Sequence, residues 1–186
     1  MTLSDITQSL IQTDFSGGIH TSPHIRLLLY AIAGCMEATE VMETGYDAGK
    51  TTEVLCQTNA NITAIDNHSE YADVKRVAQR ILSPYPNCLI VDDDIVHFVQ
   101  DHPDLQFDLV YIDDNHDEGH VYAELSLIKN MVRPGGIIVF HDVIQHEHIL
   151  RAIDHLLPEW NIIVLSARSP NDGIDYGVAI AQKPRI

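Results

Sequence analysis

The chain has 186 residues, a length that fits one domain and leaves no room for two ordinary ones. With 45% hydrophobic and 20% charged residues it is globular, and a domain of this size buries roughly 70% of its unfolded surface without a disulfide or metal staple. Its 11 basic and 27 acidic residues give a net charge of −16, which repels phosphate backbones and anionic lipid, so neither nucleic acid nor membrane is expected as a partner.

Residues 1–14 suggest a short helix and lack the basic and apolar regions of a secretory signal, so a cytoplasmic, soluble protein is expected. Gly17 and Gly18 break that helix. Ser22 as N-cap and Pro23 at the first helical position start a second, with Ile25, Leu28, Leu29, Ile32, Ala33 and Met36 at helical spacing. A strand over 40–43 leads into Thr44-Gly45, followed by a helix over 49–58 and a buried strand over 61–65 ending at Asp66. A helix over 69–82 is closed by Pro84 and Pro86; a strand over 88–91 ends in Asp92, Asp93 and Asp94, and a short helix follows over 95–100. The strand over 107–112 ends at Asp113 and Asp114, and the helix over 119–132 stops at Arg133-Pro134-Gly135-Gly136. A strand over 137–140 ends at His141 and Asp142, with a helix over 146–157 behind it. The last two strands, 162–165 and 178–181, are joined by a turn over 169–173 with no room for a helix, so they pair antiparallel.

Alternating strands and helices with short, continuously apolar strands predict an α/β fold. The expectation is a Rossmann-like three-layer sandwich around a seven-stranded, mostly parallel sheet whose last strand is antiparallel. Residues 1–38 would form N-terminal helices covering the site, and 39–186 the ligand-binding domain. Cys35, Cys56 and Cys88 lie far apart at no metal or redox spacing and read as free thiols.

In such sheets the ligand lies beyond the carboxyl ends of the strands, at the topological switch point. Five strands here end in acids, at Glu43, Asp66, Asp92 to Asp94, Asp113 with Asp114, and Asp142. One such acid is usually a helix cap or turn former, but five on one edge point to a site rich in acceptors. In the first loop Gly45 permits a tight turn and Gly49 a close approach of ligand to backbone. Gly49-Lys50-Thr51 is not a phosphate-binding loop, because only three residues separate Gly45 from Gly49 where four are needed. Asp47 in that loop would repel a pyrophosphate but tolerate a cation. Asp66, about 20 residues further on, is placed to accept both hydroxyls of a ribose.

Four blocks carry a more specific resemblance: Glu43-x-Gly45-x-x-x-Gly49, Ile65-Asp66, the run from Phe107 to His116, and the run from Arg133 to Asp142. Together they resemble class I S-adenosylmethionine-dependent methyltransferases, in particular a small subgroup reading F-I-D-G-x-H in its fourth strand and P-G-G-x-I-x-x-H-D in its fifth. The likeness spans residues 38–183. It implies that Glu43, Gly45 and Gly49 hold the methionine part of the cofactor, that Asp66 grips the ribose, and that Asp94 lies beside the adenine. It also implies that Asp113 and His116 line the place where the acceptor meets the methyl group. Tyr46 and Asp47 stand where the family has small residues, and Asp114 replaces a glycine.

Two chemistries stay open for the acceptor. By resemblance to the catechol O-methyltransferases, Asp113, His141 and Asp142 occupy the positions of a divalent-metal site. An imidazole there suits Mn²⁺, Fe²⁺ or Zn²⁺ better than Mg²⁺. Alternatively His116 is a general base that takes a proton from a hydroxyl or amine. His120, His146, His148 and His155 read as helix-surface residues, and Tyr111 as packing. The expected activity is methyl transfer to a small molecule. The alternatives are a cofactor-binding relative without transfer, or a nicotinamide-dependent oxidoreductase, which the antiparallel final hairpin opposes. Only residues 1–38 and 166–176 can cover an acceptor, so a homodimer partner would supply any further lid.

Overall fold

The computed structural model describes residues 21–67, 72–167 and 173–185; the helix expected over 1–14 lies outside them. Helix α1 (Pro23–Cys35) precedes strand β1 (Glu40–Thr44), α2 (Lys50–Leu55), β2 (Asn61–Ile65) and α3 (Ala72–Leu82). Then come β3 (Cys88–Val91), α4 (Ile95–Asp101), β4 (Phe107–Ile112) and α5 (Glu118–Met131). The chain ends with β5 (Val132–His141), α6 (Glu147–Leu156), β6 (Asn161–Leu165) and β7 (Val178–Gln182). Among the described residues the strands form one seven-stranded sheet in the order β3-β2-β1-β4-β5-β7-β6. β7 inserts between β5 and β6 and runs antiparallel to both; the other pairs are parallel. The expected Rossmann-like sandwich is therefore present, with its switch point between β1 and β4.

Period-two alternation along the strands builds two cores. On one face Met42, Val110, Ile138 and Phe140 pack against Phe98 of α4, Leu125 and Ile128 of α5, and Ile153 of α6. On the other, Val41, Ile62, Leu109, Tyr111 and Val139 pack against Ile25 and Leu29 of α1, Leu55 of α2 and Leu82 of α3. Helix α1 thus shares a core with the sheet. It starts as expected, with the Ser22 hydroxyl accepting from the Ile25 N–H and Pro23 in the first turn. Helix α2 is shorter than its sequence suggests. The Thr58 hydroxyl donates to the Leu55 carbonyl at 2.7 Å, satisfying a terminal acceptor that a longer helix would have used.

Strand β5 begins five residues earlier than expected. The Pro134-Gly135-Gly136 run does not end α5 with a loop but continues the ladder with a register shift between Phe107 and Leu109. Gly135 adopts φ +81° and its N–H reaches the Lys183 carbonyl, while Gly136 accepts from the Lys183 N–H at 2.9 Å.

At the opposite end of the sheet from the strand carboxyl ends, Asp108 ties three strands together. It accepts from the N–H and hydroxyl of Thr39, from the Glu40 N–H, and from Arg133 at 2.8 Å. Burial would raise its pKa, but Arg133 and these donors outweigh it and hold the carboxyl down at about 2. The stabilisation is therefore present at neutral pH and lost as pH falls from about 4 toward 2. Asp108→Asn should lower stability at pH 7 by about 1–2 kcal/mol and flatten acid unfolding over that window, as denaturant titrations at several pH values would show.

Candidate active site

At the switch point the backbones of β1 and β4 almost touch. The Asp113 N–H donates to the Thr44 carbonyl at 3.1 Å, and the Gly45 N–H to the Ile65 carbonyl at 2.9 Å. A Cβ on Gly45, which has φ +74°, would lie 2.2 Å from the Asp113 carbonyl oxygen. Gly45 is thus required for the turn, as expected. Gly49 has a different reason from the one its sequence suggests: at φ +78° it begins α2, and its Cα faces the Leu82 side chain of α3, not open space for a ligand.

Above this turn lies a cavity of about 180 Å³, lined by residues of the first loop, α1, β4 and β5. Glu43, Gly45, Asp113, His116, His141 and Asp142 all border it, so most of the sequence candidates meet in one place. Three candidates stand outside that lining: Gly49, Asp66 and Asp94. Asp66 accepts from the Asp47 N–H at 2.9 Å and so fixes the first loop, whose Asp47 is held at φ +44°. Asp94 caps α4, accepting from the N–H groups of Val96 and His97.

Glu43 is 1% exposed, and its Oε2 has no hydrogen-bond donor. Burial pushes its pKa up to about 8, so the carboxyl holds a proton at neutral pH. Beside it is Arg26 of α1, which is also 1% exposed and borders the same cavity. Burial lowers the pKa of Arg26, while Tyr111, Glu43 and nearby acids oppose the shift, and a guanidinium remains charged throughout. Nothing in the sequence singles out Arg26 except a charge on the buried stripe of α1. It sits one residue after Ile25, where an amphipathic helix would bury apolar groups.

The opposite wall is a chain of alternating acids and imidazoles. The hydroxyls of Thr21 and Tyr111 donate to Asp113 Oδ2 at 2.8 and 2.9 Å, so buried Tyr111 does more than pack. Asp113 Oδ1 faces His141 Nδ1 at 3.1 Å. The same nitrogen lies 3.1 Å from Asp142 Oδ1, close enough for an ion pair but without hydrogen-bond alignment. Asp142 Oδ2 then pairs with His116 Nε2 at 3.1 Å. Burial disfavours charge on His141, but Asp113 and Asp142 prevail and raise its pKa to about 10. Burial likewise acts against ionised Asp142, yet His116 and His141 hold its pKa well below the usual carboxylate range. Asp142 also adopts φ +59°, a conformation that costs a non-glycine residue energy and is concentrated at functional sites.

The helix-surface reading of three histidines is corrected by this wall. His146 stacks on His116 with ring centroids 4.6 Å apart, and His148 Nε2 meets the His116 carbonyl at 2.7 Å. His120 pairs with Asp114 at 3.2 Å. Their position at helix starts suggested exposure, but the loop after β4 folds over them.

Residues 42–143 match the family model of a methyltransferase domain. No curated protein sequence matches the chain significantly. Among solved structures, an O-methyltransferase from Bacillus cereus in complex with S-adenosylhomocysteine superposes with a TM-score of 0.75 at 16% identity, covering 97% of this chain and 90% of that one. The O-methyltransferase TomG from Streptomyces achromogenes, involved in tomaymycin synthesis and bound to S-adenosylmethionine, gives 0.71 at 18% identity, with 98% and 89% covered. The N-methyltransferase NodS from Bradyrhizobium japonicum gives 0.69 at 18% identity, with 87% and 95% covered. No helix among the described residues is long and apolar enough to cross a membrane.

Proposed function

Because this chain belongs to the methyltransferase-domain family, among the class I S-adenosylmethionine-dependent enzymes, we propose that it methylates a hydroxyl or amine of a small molecule, with His116 taking the acceptor's proton. One cavity carries both halves of such a reaction. Buried Glu43 on one wall suits the ammonium of the cofactor's methionine part, and Arg26 with Lys50 suits its carboxylate. The orphaned Glu43 Oε2 is what an ammonium would satisfy. When bound, S-adenosylmethionine supplies a methyl group on a positively charged sulfur. The chain's own part would be to align an acceptor beside that methyl group and to take the acceptor's proton at His116. Asp142 fixes the imidazole of His116 and stabilises the imidazolium that forms. Most of the rate then comes from alignment and exclusion of water. The similar solved structures include O- and N-methyltransferases, and the proposal covers both acceptor atoms.

A metal-assisted version has two observations in its favour. Ligand atoms of Asp113, His141 and Asp142 lie within 4.8 Å of one another, and Asp142 Oδ1 accepts no hydrogen bond. This donor set would hold Mn²⁺, Fe²⁺ or Zn²⁺ in preference to Mg²⁺, and the ion would make an acceptor hydroxyl more acidic. His141 already pairs with both carboxylates without an ion, and the His116 mechanism, which needs none, takes precedence. Chelator treatment should therefore leave turnover intact. Loss of turnover with the chelator and its return with a divalent ion would favour the metal instead.

Calorimetry with S-adenosylmethionine and S-adenosylhomocysteine tests the family assignment of the cavity directly. Asp66→Ala should weaken both by about 2–3 kcal/mol, since charged hydrogen bonds to ribose and the anchor for Asp47 are lost together. Unchanged affinity would remove Asp66 from the site. A second copy of the chain as an acceptor lid stays within the proposal, to be read from sedimentation with and without cofactor.

A further inference from the structure

Asp142 faces two histidine clusters, one with each carboxylate oxygen. Its Oδ1 faces His141 and its Oδ2 faces His116, and one ligand atom from each of His116, Asp142 and His146 lies within 4.8 Å of the other two. We propose that His116, Asp142 and His146 form a separate binding site for a transition-metal ion of the zinc type, and that an ion bound to His116 Nε2 inhibits methyl transfer, because Nδ1 then keeps its hydrogen and cannot take the acceptor's proton.

The donor set is two imidazoles and one carboxylate, which suits Zn²⁺, Co²⁺, Ni²⁺ or Fe²⁺ and disfavours Mg²⁺. The geometry is nearly in place. Two ligands about 2.1 Å from a tetrahedral ion are about 3.4 Å apart. His116 Nε2 and Asp142 Oδ2 are already 3.1 Å apart. The His116 and His146 rings stack with centroids 4.6 Å apart, and one ligand atom from each of His116, His146 and Asp142 lies within 4.8 Å of the other two. His146 is free of helix capping, since its side chain makes no cap hydrogen bond at the start of α6. Asp142 is the fixed member: its side chain is 8% exposed and pairs with both His116 and His141. His148 holds the His116 carbonyl at 2.7 Å and so orients the loop that carries the first imidazole. His116 also borders the cavity, which gives an ion a path from solvent and leaves open coordination positions toward the acceptor.

The binding half of this inference stands on these side chains alone; the inhibitory half rests on His116 acting as the base. The test uses the full chain, stripped with a chelator and titrated with Zn²⁺ and separately with Mg²⁺ by calorimetry, and with Co²⁺ by visible absorption. Zn²⁺ is expected to bind one ion per chain and Mg²⁺ not to bind. His146→Ala should weaken Zn²⁺ about tenfold or more and remove the cobalt bands. Asp113→Asn should leave Zn²⁺ affinity nearly unchanged. Loss of Zn²⁺ binding in Asp113→Asn with full retention in His146→Ala would overturn the site, placing the ion with His141, as would no Zn²⁺ binding to the parent chain. Circular dichroism of each variant separates misfolding from ligand loss, and His146→Gln gives a second, milder replacement. Binding of S-adenosylhomocysteine, measured on the same preparations, reports on the methyltransferase reading independently of the ion. Turnover with saturating Zn²⁺ should fall in the parent chain and be spared in His146→Ala; equal loss in both would overturn the inhibitory half.

Discussion

His116→Ala should lower kcat by about 10²–10⁴-fold while leaving S-adenosylhomocysteine affinity within about threefold. The imidazole borders the cavity and pairs with Asp142, and on the proposed reading it faces the acceptor while Glu43 and Arg26 face the cofactor. Its loss removes a proton acceptor needed only as the new bond forms, so the effect should fall on kcat. His116→Gln keeps a polar side chain of similar reach without basicity and should be equally slow. Asp142→Asn keeps the shape of the partner but not its charge, so it should slow turnover less than loss of the base itself. Steady-state rates with a competent acceptor, paired with calorimetry, separate these outcomes. Turnover in His116→Ala close to that of the parent chain would assign the proton elsewhere, with the Asp113–His141–Asp142 group next in line.

Gly45→Ala should destabilise the protein by about 3 kcal/mol or more and abolish cofactor binding in whatever fraction stays folded. Two penalties coincide at this residue. The backbone has φ +74°, which an alanine adopts only at a cost, and the new methyl would lie 2.2 Å from the Asp113 carbonyl oxygen and 2.7 Å from the Asp114 Cα. Both obstacles are backbone atoms of the loop that follows β4, so no side-chain rotation relieves them. Relief requires β1 and β4 to part at their carboxyl ends, where Asp113 enters the cavity. Gly34→Ala is the matched control, because nothing lies within 4 Å of a Cβ there and helix α1 favours alanine. Denaturant midpoints for the two variants should move in opposite directions.

Much of this arrangement was legible from residue order. Apolar runs such as 61–65 and 107–112 are long enough only for strands, the acids that end them mark one edge of the sheet, and too few residues separate the last two apolar runs for a crossover helix, in line with the antiparallel pairing of β6 and β7. Positions that depend on contact between distant segments were not legible. Gly49 looks like a ligand-facing glycine in its loop, but α3 packs against it. Tyr111 alternates correctly for packing, and its hydroxyl finds Asp113 only because Thr21 and the end of β4 converge. His146 and His148 follow a helical pattern that says nothing of the loop carrying His116 above them. Arg26 is hidden in the same way: one charge in an apolar stripe has no meaning until Glu43 is seen beside it. Cys56 and Cys88 lie 32 positions apart in the chain. Yet their thiols meet at the foot of β3, and their hydrogen bond raises the pKa of Cys56 and lowers that of Cys88.

Glu43 makes the empty and the loaded protein respond oppositely to alkali. An unfolded glutamate loses its proton near pH 4.5, whereas the buried one keeps it up to about pH 8. Across that interval the unliganded fold weakens as pH rises, because only the unfolded chain can release the proton. Glu124, equally buried and likewise raised to about 8, steepens the same decline. An ammonium seated against Glu43 reverses the preference: the carboxylate becomes the favoured form, and the proton leaves as the ligand arrives. Occupancy should therefore raise the melting temperature more at pH 8 than at pH 5, and the heat of loading should vary with the ionisation enthalpy of the buffer. A protein of this kind is held together by its own fold in mild acid and increasingly by its ligand in mild base.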